Sequence, residues 1–143
     1  MNAKPAAVLA SMAALLGEWT MLSPQFPDFR GRSKIEWNGD GGYLMMRDEV
    51  DRGEFPSGTW VVGGDDSDEH SIALYHDSRG VSRVYHMTFV DGIWKIWRNA
   101  PGFNQRFIGR VDRAGTSIAG QWETSEDASR WEKDFDLVYQ KVE

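Results

Sequence analysis

The 143-residue chain has no cysteine. That excludes disulfides, zinc fingers, thiolate catalysis and iron–sulfur clusters, and it suits the reducing cytoplasm, which is the expected address. Basic residues are in deficit: 16 Lys and Arg stand against 22 Asp and Glu, for a formal charge of −6. Non-specific binding to nucleic acid or to an anionic membrane needs clustered cations, so neither is expected. Long apolar runs are missing too. The best candidate, residues 6–16, falls well short of the roughly 20 residues that span a bilayer. Histidine is scarce, with only His70, His76 and His86. The G-x-S-x-G, H-E-x-x-H, P-loop and dinucleotide fingerprints are all absent.

Aromatic residues and glycine are plentiful. Seven Trp, seven Phe and four Tyr are spread along the chain with 15 Gly. Aromatics favour strands and fill cores or pocket walls. A chain near this length buries about 70% of its unfolded surface, enough for a core without staples. One segment reads as helix: residues 6–16 follow Pro5, are rich in helix formers and stop at Gly17, with Val8, Met12 and Leu15 on one stripe and Leu9 and Leu16 beside it. Lys4 and this run superficially suit a secretory signal, but no convincing cleavage site follows.

After Gly17 the pattern changes to short runs between turn residues. Candidate strands are 18–22, 33–37, 43–50, 58–63, 71–76, 81–89, 93–98, 105–111, 117–123 and 133–142. The turns 38–42, 63–66, 91–92 and 112–115 punctuate them, and Asp91-Gly92 is the strongest hairpin signal. About ten strands joined by tight turns predict an all-β antiparallel meander. Closure removes its edges, so the expected fold is a closed up-and-down barrel with a short N-terminal capping helix, one domain over 1–143; a two-sheet sandwich is the alternative.

Leu16-Gly17-Glu18-Trp19, directly after the short helix, resembles the G-x-W signature of the calycin superfamily, the lipocalins and fatty-acid-binding proteins. The resemblance covers nearly the whole chain. It implies that the helix or a 3₁₀ turn covers one barrel end, that Trp19 packs inside that end, and that a basic residue of the last strand stacks on Trp19. Lys141 or Arg130 would have to serve. The order of elements, with the Asp-Ser-Arg-Gly-Val-x-Arg-x-Tyr hairpin at 77–85, is also similar to small bacterial lipocalin-like proteins. The function implied is reversible binding of a small apolar or amphipathic molecule in the lumen. Nitrobindins are more distant neighbours that hold haem through a late histidine. This chain has no histidine after His86, so the resemblance implies no cofactor here.

The hairpin carries the candidate site. Asp77-Ser78-Arg79-Gly80 suits a type I turn followed by a bulge, which sets Tyr75 opposite Arg83 and Ala73 opposite Tyr85. Strand alternation then places Tyr75, Arg83, Tyr85, Met87 and Phe89 on one face, and Ile72, Leu74, His76, Val84 and His86 on the other. The first face suits an inward wall, joined by Phe107. Arg83 with Tyr85 and Tyr75 would clamp an anionic head group, as in the Arg-x-Tyr carboxylate anchor of fatty-acid-binding barrels, while Met87, Phe89 and Phe107 would supply apolar contact. The competing account pairs Arg83 with Asp48 or Glu49, structurally and without a ligand.

Two other uses of the cavity are open. An isomerase, cyclase or hydrolase would use Tyr85, His86 or His76 as acid or base, and a haem or nitrogen-oxide binder would need His76 or His86 as ligand. Metal binding is not expected: zinc wants at least three converging ligands, and His70 sits beside the acidic run 65–69. That run lacks the glycine and glutamate of a calcium loop and reads as a solvated turn. Arg98 and Arg106 read as solvated arginines with their stems over tryptophan rings. Homodimerisation through an exposed aromatic face is compatible with any of these.

Overall fold

The computed structural model describes residues 7–38, 41–52, 55–64 and 70–142. Ten strands follow the N-terminal segment: β1 (Gly17–Leu22), β2 (Arg30–Asn38), β3 (Tyr43–Arg52), β4 (Gly58–Gly64), β5 (Ser71–Asp77), β6 (Ser82–Val90), β7 (Ile93–Arg98), β8 (Asn104–Val111), β9 (Ser117–Ser125) and β10 (Glu132–Lys141). Each pairs antiparallel with its neighbours in the chain, and β1 closes on β10, with Trp19 opposite Lys141 and Met21 opposite Tyr139. The barrel therefore has no free edge, and the two-sheet alternative does not form. Every expected strand is present, most of them longer by one to three residues at an end because ladder pairing continues past the hydrophobic run.

Turn chemistry explains much of this registration. Asp91 (φ 53°) and Gly92 (φ 76°) both lie in the left-handed region, and Val90 pairs with Ile93. This is the two-residue hairpin whose twist matches the strands. At the 77–80 turn, Gly80 N–H donates to the Asp77 carbonyl at 2.9 Å and Asp77 N–H to the Val81 carbonyl at 3.0 Å. Asp112 organises the β8–β9 turn by accepting from Thr116 N–H (2.8 Å) and Ser117 N–H (3.1 Å). The acidic run 65–69 and the stretch before Ala7 lie outside the described residues.

The N-terminal segment differs from the expected single helix. One α turn, α1 (Ala7–Ala10), passes into a 3₁₀ turn (Ser11–Leu15). Its buried positions are Leu9, Met12 and Leu15, spaced by three. That is the 3₁₀ period, in place of the α period expected of a single helix there. The tighter winding presents the Leu15 carbonyl to Trp19, whose Nε1–H donates to it at 2.8 Å. Ser11 Oγ donates to the Phe89 carbonyl at 2.8 Å and ties the cap to β6. Lys141 Nζ lies 5.3 Å from the centre of the Trp19 ring, completing a capped end in which Lys141 and not Arg130 is the stacked cation.

Beneath this cap the inward residues fill the barrel. Leu44, Val62, Met87, Phe89, Trp94, Phe107 and Ile118 are buried there with Trp19. Phe107 explains a pair of glycines. Gly109 and Gly120 face each other across β8 and β9, and a Cβ on Gly120 would fall 2.4 Å from the Phe107 ring. The ring occupies the space that two side chains would otherwise take. Outside the barrel, Ile72, Leu74 and Val84 are exposed on β5 and β6, with Leu74 directly opposite Val84. No helix among the described residues is long and apolar enough to cross a membrane.

Candidate ligand cavity

The β5–β6 register matches the expected one: Tyr75 opposite Arg83, Ala73 opposite Tyr85, Ile72 opposite His86. Tyr75, Arg83 and Tyr85 accordingly share the inward face. Towards the uncapped end the inward side chains do not meet across the barrel and leave a cavity of about 310 Å³. Met21, Met46, Ile96 and Tyr139 line its deep part, Trp60, Tyr75, Tyr85 and Trp122 its walls. Phe26, Phe55, Arg79, Arg83, Phe103 and Asp134 stand around its mouth. Phe55 anchors the mouth through edge contacts with Phe26 (5.1 Å between ring centres) and Phe29 (4.9 Å). Met87, Phe89 and Phe107 do not line the cavity; the same alternation carries them deeper, into the packed layer under the cap.

At the mouth, one arginine is committed to an ion pair and another has none among the described residues. Asp77 is buried and accepts from the Tyr75 hydroxyl (2.6 Å), Arg79 Nη2 (2.7 Å) and the Arg79 backbone N–H (2.9 Å). Burial works to raise the Asp77 pKa, but the Arg79 and Tyr75 hydrogen bonds overcome it and hold the carboxylate well below its usual range. Burial and the Asp77 carboxylate push the Tyr75 phenol well above its ordinary value. Arg79 and Tyr75 therefore serve the turn.

Arg83 makes no ion pair among the described residues. Its expected carboxylate partners are engaged elsewhere: Glu49 pairs with Arg32 at 3.6 Å on the outside, and Asp48 lies in β3 and accepts from Trp60 Nε1–H at 3.2 Å. The Arg83 guanidinium sits 5.3 Å from the Phe103 ring centre and close to the Tyr85 phenol, which donates to Gln105 Oε1 at 2.9 Å. Burial raises the Tyr85 pKa, while the neighbouring Arg83, Arg98 and Arg79 charges pull against it. Arg106 is different: it binds Glu123 (2.8 Å) and covers the Trp131 ring at 4.0 Å.

Asp48 is the site residue that hairpin reasoning did not single out as lumenal. Its neighbours Met46 and Val50 are inward, so the alternation of β3 also turns Asp48 inward. That pattern, an acid between two apolar residues of one strand face, was the available signal. Ser33 stands directly opposite on β2 and is buried. Burial pushes the Asp48 carboxyl up to about 6, although Ser33 and Trp60 pull it down. Ser33 lies near enough for that effect, yet among the described residues neither Ser33 Oγ nor Asp48 Oδ1 has a partner in hydrogen-bonding geometry. The Tyr139 phenol is raised well above its ordinary value by burial and by the Asp48 charge.

The histidines lie outside. His76 is exposed, with Nδ1 3.0 Å from Ser82 Oγ. His86 stacks on Trp97 (5.5 Å, 30°) and has His70 edge-on at 4.5 Å. Neither His76 nor His86 lines the cavity. Among the described residues no group of three His, Asp or Glu is placed to hold a metal ion. No protein-family model matches the chain, and a search of curated proteins returns no match. The closed antiparallel barrel is consistent with a calycin-like barrel and compatible with ligand binding.

Proposed function

We propose that this protein is a calycin-like barrel that reversibly binds a small amphipathic molecule, its apolar body in the lumen and its acidic head at Arg83. One observation carries this reading: an apolar, aromatic-lined cavity opens beside an arginine that has no ion pair among the described residues. A volume of about 310 Å³ lies at the small end of the range for ligand pockets. Guanidinium fits a carboxylate with two parallel hydrogen bonds, and Phe103 and Tyr85 limit where it can swing. Tyr85 can complete the head-group contact. The Trp19–Leu15–Lys141 end supports the calycin assignment, and the cysteine-free composition supports a cytoplasmic location.

Calorimetric titration with lauric acid tests the proposal. Arg83→Met, which keeps the apolar stem, is expected to weaken binding about tenfold, the value of one charge-assisted hydrogen-bond pair, with no fall in melting temperature. Equal binding by Arg83→Met removes the anchor; loss of the fold makes Arg83 structural. The aliphatic stripe Ile72, Leu74 and Val84 supports a separate reading, association of two copies through that face. Light scattering that shows one protomer at micromolar concentration overturns it.

A further inference from the structure

Resting on the ligand-binding reading above, we infer that the lumen recognises a second polar group on its ligand, a hydroxyl remote from the acidic head, at Asp48 with Tyr139 beside it. Asp48 and Tyr139 both line the cavity. They belong to its deeper part: Tyr139 lies opposite Met21 and Ile118, and Asp48 opposite Ser33, away from Arg83 and Phe103 at the mouth.

Their hydrogen-bonding capacity is unspent. Trp60 Nε1–H fixes one carboxyl oxygen of Asp48, while the other is buried without a partner among the described residues, as is Ser33 Oγ. The Tyr139 hydroxyl makes no hydrogen bond among the described residues. An unsatisfied buried acceptor is costly, and the neighbouring inward positions of β3 hold Met46 and Val50, so an apolar residue would have served packing alone. A carboxylate only accepts, so its missing partner must donate; a phenol both donates and accepts. A ligand hydroxyl satisfies both at once, donating to Asp48 and accepting from Tyr139. An ammonium group would have to bring a second charge into the same apolar space, which is harder to compensate. The burial that lifts the Asp48 pKa is in keeping with an acid lacking its full set of donors.

The ligand class that follows is a medium-chain acid with a hydroxyl near its far end. The test compares lauric acid, ω-hydroxylauric acid and lauryl alcohol by calorimetry on wild type, Asp48→Ala and Tyr139→Phe. Wild type is expected to bind the hydroxy acid about tenfold more tightly than lauric acid. Asp48→Ala should erase or reverse that preference while still binding lauric acid, and Tyr139→Phe should reduce it about threefold. Tyr139→Phe preserves the readout should Asp48→Ala not fold. Equal affinities in wild type overturn the inference and leave the carrier reading intact, since water can then fill the Asp48 contact. A preference that survives Asp48→Ala overturns it as well. Failure of all three probes to bind removes both. Asp48-dependent binding of lauryl alcohol alone keeps the deep site and removes the acidic head group.

Discussion

The turn end of the β5–β6 hairpin buries Asp77 and the inner wall of β3 buries one carboxyl oxygen of the half-buried Asp48, and the two are held in opposite ways. Asp77 has donors on every side: a tyrosine hydroxyl, a guanidinium and backbone N–H groups, all within a few residues of chain. Among the described residues Asp48 has one indole N–H, a serine out of hydrogen-bonding geometry and an unpartnered oxygen. Donors supplied by a turn are local and cheap to assemble, so Asp77 is a fully compensated structural acid. Asp48 depends on strands far apart in sequence, and the fold leaves it incomplete. Asp77 is compensated within its own turn, whereas Asp48 is compensated only in part by the described residues of other strands.

The contrast is sharpest in the response to pH. The folded Asp48 pKa, about 6, lies above its ordinary 3.8, so between those values the native state binds more protons than the unfolded one. Stability from this group is therefore present at low pH and lost as pH rises through about 6. Asp48→Asn is expected to raise unfolding free energy by about 2–3 kcal/mol at pH 8 and to flatten the pH 4–6 slope, by denaturant titration at several pH values. A variant no more stable than wild type would mean that Asp48 is compensated after all. Asp77 carries the opposite sign. Its folded pKa is depressed, so its contribution is present above the ordinary aspartate value of 3.8 and declines steadily as pH falls below it. Asp77→Asn should cost about 2 kcal/mol at pH 7, discounted because Arg79 is half exposed, and progressively less as pH falls below about 4, by thermal melts. The smallest effect tests the single donor to Asp48. Trp60→Phe should raise the Asp48 pKa further, by about one unit or about 1.4 kcal/mol, read from the carboxyl carbon in NMR titration. An unchanged titration would show that the indole contributes nothing there.

Legibility of the sequence followed the range of the interaction. The hairpin pairs Tyr75–Arg83 and Ala73–Tyr85 came from one four-residue turn and strict alternation, both local. The same alternation placed Met87 and Phe89 inward, but depth along the barrel depends on strand stagger, which decides whether an inward side chain meets the cavity or the packed layer. Phe107 is a similar case: its ring folds over Gly109 and Gly120, a contact between residues 13 apart that no periodicity displays. Arg83 could be singled out by type and position, whereas its lack of an ion pair among the described residues depends on where Glu49 and Asp48 find their own partners on other strands.

By itself, the amino-acid order determined strand count, turn types, which residues of the β5–β6 hairpin share a face and the lack of any thiol chemistry, because these follow from period-two patterning and dihedral preferences over a few residues. Tertiary structure alone decided that the ribbon closes, that Lys141 reaches Trp19 and that Asp48, Tyr139 and Arg83 border one void. Those outcomes depend on the cumulative twist and stagger of ten strands, a sum over the whole sheet that no short segment encodes.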